Sequence, residues 1–298
     1  MADTDFHPGK NTARDRNGAG AGDRSAAAAA YRPPSWSYWR GWSALAKWSG
    51  LVITALIYFP LGWLALMSVS ERPLSGIPFP LSLANYAALA EDTRWVKPFA
   101  ASLVMGVAVG IISMVVATLL GRAIPRSRHP GTIVLFAVVP LFVPGMSMGA
   151  ALFIFLRSFL GLKLGFWSIF LGHLVWALPF SLLMILVLTT RFDNRLLEAA
   201  EDLGASKWEI FWDIEFPILR PAIVGAGLFG FLLSFNEVLR STFLRGTETT
   251  MPVWNWTMAA SQQSQVPIIF ALATLVLVVT LPLLAGFFWL LFVRMDRS

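Results

Sequence analysis

Apolar residues gather along this chain into six long runs: Trp48–Ser68, Phe99–Gly121, Thr132–Phe155, Phe166–Thr189, Ala222–Phe243 and Pro267–Val293. A helix that crosses a hydrocarbon core needs ~20 such residues. The pattern predicts an all-α membrane protein with about six transmembrane helices; dropping the first run would leave five. The stretch from Met1 to about Tyr31 is polar, rich in Gly, Asp and Arg, and ends in the alanine run Ala26–Ala30. It holds too few apolar residues to offset the entropy of ordering, so a disordered tail is expected. The expected organisation is a tail over 1–45, a first span over 46–70 and a main spanning domain over 97–293 with a polar connection at 191–220. The first apolar run begins too far from Met1 for a signal peptide, and no cleavage is expected.

Composition agrees with the pattern. The chain is 56% hydrophobic and 13% charged, with mean hydropathy +0.66. A soluble domain of 298 residues could not hide that much apolar surface. Cysteine is absent, which excludes disulfides and thiolate metal sites. His7, His129 and His173 are far apart and lack metal-ligand spacing. The net charge of +6 does not call for nucleic acid, because basic residues flank the spans. Arg32, Arg40 and Lys47 precede the first, Arg122, Arg126 and Arg128 follow the second, Arg191, Arg195, Lys207 and Arg220 lie between the fourth and fifth, and Arg294 and Arg297 follow the last. With six spans these segments share one side, which the positive-inside rule makes cytoplasmic. Both termini are then cytoplasmic, in a multi-pass protein of the bacterial inner (plasma) membrane.

The cytoplasmic connection from Arg191 to Arg220 reads RFDNRLLEAAEDLGASKWEIFWDIEFPILR, far longer than a passive link needs. It is patterned as two short helices. Asp193 or Asn194 can cap the first, and Gly204 suits its stop. Ser206 and Glu209 have capping-box spacing for the second, Pro217 is expected to end it, and Pro221 suits the first turn of the next span. Composition alone leaves open whether this is a docking element with small residues and carboxylates or a solvated amphipathic loop.

The spacing Glu198-Ala199-Ala200, then Gly204, then Ile214-x-Phe216-Pro217 resembles the EAA loop of type I ABC importer permeases, with Phe216 where the family prefers Leu. Leu164–Phe180, Leu196–Ser206 and Ala271–Thr274 are similar to the permease C subunits of spermidine/putrescine importers. The resemblance implies that Glu198, Ala199, Ala200, Gly204, Ser206, Ile214 and Pro217 form the coupling element, with Glu198 and Ala200 facing an ATPase. It implies an ABC ATPase dimer that binds ATP and Mg, a second and distinct permease homologue, and a periplasmic or extracellular solute-binding protein. No cofactor is expected in this chain, and it lacks the G-x-x-x-x-G-K-[ST] phosphate loop of an ATPase.

Ionisable residues at membrane depth are functional candidates because they are costly to bury. Glu237 and Arg240 are three apart in the fifth run, placed to share a helix face. With Asn236, His173 and Trp254 they form the candidate translocation pathway. Each has a plainer reading: an internal ion pair, a hydrogen-bonded packing histidine, an interfacial aromatic anchor. A carboxylate beside an arginine carries little net charge. The cargo expected from the resemblance is polyamine-type, while that pair suits an opine, an amino acid derivative or an aminophosphonate at least as well. Gly225–Gly230 matches G-x-G-x-x-G but sits inside an apolar run, so close helix packing explains it better than a dinucleotide. Gly106 and Gly110 carry the same implication. The weighed alternative is an ion-coupled secondary transporter using Glu237 and His173, which leaves the EAA-like loop without a role. An intramembrane enzyme lacks a catalytic constellation.

Overall fold

The computed structural model describes residues 36–289, and the helices are α1 (Trp36–Ser68), α2 (Ala84–Glu91), α3 (Val96–Ala123), α4 (Pro130–Val138), α5 (Gly145–Phe153), α6 (Phe166–Thr189), α7 (Arg195–Asp202), α8 (Lys207–Glu209), α9 (Phe216–Phe235), α10 (Leu239–Leu244), α11 (Met251–Ser261) and α12 (Val266–Trp289). The chain divides into one unit ending at Gly62 and a second from Trp63 onward. α1 begins inside the stretch expected to be tail; the rest of that tail, and the residues after 289 assigned to the last span, lie outside the described residues. Among the described residues five helices are long and apolar enough to cross a membrane.

The third expected span differs from a single rod. Helices Pro130–Phe142 and Gly145–Phe159 meet at 95°. Pro140 and Pro144 explain the break: each lacks an N–H, and Pro144 pushes Val143 into extended backbone at φ −91°, ψ 123°. The fifth expected span also differs. The rod ends at Phe235, and the residues after it form a break and then the short α10.

The expectation that Pro217 ends a helix is overturned. α8, a π-helical turn over Ile210–Glu215 and α9 run on as one rod, Lys207–Phe235. Pro217 falls in the first turn of α9 and Pro221 further inside it. The wider π turn ahead of Pro217 relieves the local ladder at the point where a backbone donor is missing. The loop's second half is therefore the root of the fifth span.

The second unit is built around α3, α6 and α9. Their shared core holds Ala117, Ile124, Leu182, Ile185, Leu219, Ala222 and Ala226. Where α3 crosses α9 the backbones approach closely: a Cβ on Gly110 would sit 2.9 Å from the Gly227 carbonyl. The small residues of both glycine motifs thus serve helix packing, as expected. At the opposite end α2, α11 and α12 share a cluster of Leu89, Met251, Trp254, Ala271 and Leu272.

Candidate functional site

The loop between α6 and α9 is a compact object with its own small core. Asp193 Oδ1 accepts the Arg195 N–H at 3.0 Å and so opens α7. α7 closes on Gly204, whose φ of +86° is a region that L side chains seldom enter. The Gly204 N–H bonds the Glu201 carbonyl at 2.9 Å and the Ala205 N–H bonds the Ala200 carbonyl at 3.0 Å. This is a Schellman stop. Ser206 N–H donates to Glu209 Oε2 at 2.7 Å, and Glu209 N–H donates to Ser206 Oγ at 3.3 Å, which completes the capping box. The Ser206 hydroxyl and N–H hold the Glu209 carboxyl below its ordinary range.

Leu197, Ala200 and Ile210 form the buried centre of the loop, with Phe192, Ala205 and Ile214 against them. Ala200 therefore faces inward, and the expectation that it presents outward with Glu198 is corrected: its small side chain lets the two short helices close on each other. Glu198, Ala199 and Ser206 remain on the surface. Sequence reasoning missed the side chains most exposed beside them. Leu203 is 89% exposed, Trp208 69% and Leu196 49%. Leu203 and Trp208 flank Gly204 and Ser206 in the sequence, which was the available signal.

A second missed feature lies at the loop's root. Glu215, 3% exposed, forms an ion pair with Arg122 and a second with Arg126 at 2.7 Å. The Arg122 guanidinium carbon also stands 4.4 Å from the centroid of Phe211. In the sequence these arginines counted only as topology signals; a carboxylate amid Ile214, Phe216 and Pro217 was the hint.

The pathway candidates separate. Glu237, Arg240 and His173 come together in one buried cluster at the break after α9. Asn236, adjacent in sequence, is exposed and its amide bonds the Leu232 carbonyl at 3.0 Å. Trp254 is buried in the cluster at the α11 end.

Glu237 and Arg240 do pair, at 2.6 Å, but across the start of a new helix instead of along one face. Glu237 Oε1 also accepts the Arg240 N–H at 3.0 Å, so the side chain satisfies a backbone donor in the first turn of α10. Such local bonding competes with helix continuation, and it sits between the end of α9 at Phe235 and the first turn of α10. The Arg240 guanidinium stacks on Trp176 of α6, 4.2 Å from the ring centroid. His173, 1% exposed, lies 2.8 Å from Ser234 Oγ and 2.7 Å from Ser241 Oγ. Ser241 Oγ donates to the Glu237 carbonyl at 2.8 Å, which uses its one hydrogen. It must then accept from His173 Nε2–H, and a neutral ring leaves Nδ1 to accept from Ser234. One imidazole thereby bridges both sides of the break. Glycines admit α10 to this place: a Cβ on Gly149 would lie 3.2 Å from Arg240 Cα, one on Gly145 3.2 Å from an Arg240 guanidinium nitrogen, and one on Gly172 would collide with Leu244. Among the described residues no group of three or more His, Cys, Asp or Glu is placed to hold a metal.

The structure thus combines spanning helices with a loop that has its own small core and a buried Glu237–Arg240 pair beyond α9. The chain belongs to the family of binding-protein-dependent transport system inner membrane components, whose model matches residues 130–293. It is an ABC importer permease subunit of a multi-pass membrane class. It is 32% identical over 201 residues to the spermidine/putrescine transport system permease protein PotC of Escherichia coli K12, covering 66% of this chain and 74% of that protein. It is 26% identical over 248 residues to the trehalose/maltose transport system permease protein MalG of Thermococcus litoralis, covering 74% and 87%. Its fold resembles a chain of a bacterial ABC transporter involved in import of the acidic polysaccharide alginate, with TM-score 0.64 and 16% identity over 87% of this chain and 100% of that one. A chain of the MetNI methionine ABC transporter in an inward-facing conformation is also similar, with TM-score 0.53 and 18% identity over 64% and 92%.

Proposed function

We propose that this permease is driven by a separate ATPase that receives the α7–α8 loop, and that it passes a small polar organic solute delivered by a binding protein on the opposite face. The observation that carries this reading is the loop itself. It has its own core, a rigid Schellman stop and capping box, an apolar outer face at Leu196, Leu203 and Trp208, and a continuous rod into the fifth span. A solvated connector needs none of these. In this reading ATP and Mg belong to the ATPase dimer, a distinct second permease completes the membrane portion, and both termini are cytoplasmic.

Polyamine-type cargo is supported by the similarity to spermidine/putrescine permeases. The Glu237–Arg240 pair argues for a wider range. A polycation gains most from uncompensated carboxylates, and Glu237 is already neutralised by Arg240, so a zwitterion such as an amino acid derivative is the second reading. Family membership leaves an ion-coupled secondary transporter without support, since nothing in that mechanism uses the docking loop.

The test is co-purification. The wild-type chain should capture an ABC ATPase and hydrolyse ATP with it. Leu203→Asp, which places a charge on the docking face, should abolish capture while the chain still inserts, and Glu198→Ala should weaken it. Retention of full capture and ATP-driven uptake by both variants would remove the coupling assignment.

A further inference from the structure

We propose that Glu215, held between Arg122 and Arg126, is a positioning residue that transmits displacement of the coupling loop to the second and fourth spans as well as to the fifth. The proposal rests on the importer reading above and adds the route by which the loop's motion spreads. α8, the π turn and α9 form one continuous run, Lys207–Phe235. The weakest point of that rod is the π turn at Ile210–Glu215, followed by two residues without backbone donors, Pro217 and Pro221. Left alone, the rod would flex there and the membrane half would lag behind the loop.

The clamp sits at that point. Glu215 closes the π turn, and both its oxygens face guanidinium groups from the end of α3 and the turn after it. Arg126 also donates to the Arg122 carbonyl at 2.8 Å, which ties the two arginines together, and Arg122 covers Phe211 inside the π turn. The end of α3 is in turn seated on α6: Gly121 lies so close to Ile185 that a Cβ would collide with it, and Ile124 shares the core with Leu186 and Leu219. A small cavity of about 60 Å³ beside Glu215 is bordered by Thr189, Phe192 and Asn194, so the entry to α7 adjoins the same joint. Glu215 is buried while Arg122 and Arg126 keep part of their side chains exposed, so the clamp adds little stability compared with apolar packing, yet its geometry is directional. That combination suits a joint that fixes orientation.

The experiment uses the complex with its ATPase, reconstituted in nanodiscs. The chain has no cysteine, so Trp256→Cys, at an exposed position of α11, is its single spin-labelling site. ATP with vanadate should change the label's mobility in the otherwise wild-type complex. Neutralising the clamp with Arg122→Gln, Arg126→Gln and Glu215→Gln together leaves no stranded charge. This variant should still bind the ATPase and hydrolyse ATP, with the label response reduced about fivefold or more. Arg126→Gln alone should give an intermediate response, and Glu215→Asp a response near wild type. A full response in the neutralised variant overturns the proposal. Loss of ATPase binding in that variant, together with an undiminished response in Arg126→Gln, overturns it too and assigns the clamp to folding. Failure of the wild-type permease to capture any ATPase would instead sink the importer reading beneath it.

Discussion

Gly204 and His173 show two ways in which a single residue holds this molecule in shape. At Gly204 the requirement is backbone conformation alone: φ is +86° and an added Cβ would meet nothing within 4 Å. Gly204→Ala should therefore cost about 1 kcal/mol from left-handed strain without a clash. The expected readout is about fivefold faster hydrogen exchange at the Gly204 and Ala205 amides, with exchange in α9 unchanged. At His173 the requirement is hydrogen bonding. His173→Ala removes the partner of two buried hydroxyls and should destabilise the chain by ~1–3 kcal/mol in detergent denaturation, before any cavity cost. Replacing His173→Leu and Ser234→Ala together should cost less, because that removes the Ser234 hydroxyl along with its partner while Ser241 keeps its bond to the Glu237 carbonyl. Equal losses for the two variants would refute the bridging role.

The loop's helices are short, and end chemistry decides whether elements of that length persist. Ser206→Ala should weaken the start of α8 by ~0.5–2 kcal/mol. The same box predicts a pH dependence. The Ser206 hydroxyl and N–H lower the Glu209 carboxyl below its ordinary value, so the cap's contribution is complete above the unfolded glutamate value. It is lost as pH falls through the lowered folded value. Amide protection at Ser206 should thus decline only on strong acidification, and Glu209→Gln should remove the dependence. The capping box and the Gly204 stop were legible because each depends on residue type at fixed local spacing. The breaks at Val143 and after Phe235 were not. Prolines do occur inside spanning helices, and Glu237 reads from sequence as one more helical residue until its carboxylate is seen on the Arg240 N–H.

At the scale of the whole molecule, the proposed topology sets the α7–α8 loop and α11 on opposite faces of the membrane. A membrane-impermeant maleimide should label Trp256→Cys in cells whose outer barrier is opened, and Leu203→Cys only once the inner membrane is permeabilised. The reverse pattern would invert the proposed orientation. The same geometry explains why cargo is hard to read: Glu237 pairs with Arg240 and His173 bonds Ser234 and Ser241, so the carboxylate and the guanidinium offset each other's charge. Uptake of labelled spermidine by cells carrying the complete transporter, competed with an excess of a zwitterionic amino acid derivative, separates the two cargo readings. Competition by the zwitterion without spermidine uptake favours the second.

Read alone, the chain specified the membrane class, the approximate place of the apolar runs and the loop's helix–stop–helix design. Run length, glycine and capping chemistry are local properties that need no knowledge of what lies opposite. Packing settled that Ala200 faces inward, that the second half of the loop and the fifth span form one rod, and that Glu215 belongs to Arg122 and Arg126. It also decided that the pathway candidates divide between a neutral cluster, an exposed amide and an apolar core. In each of these cases the partner is far away in the chain. A buried polar group takes its meaning from whatever satisfies it, and that is settled by packing.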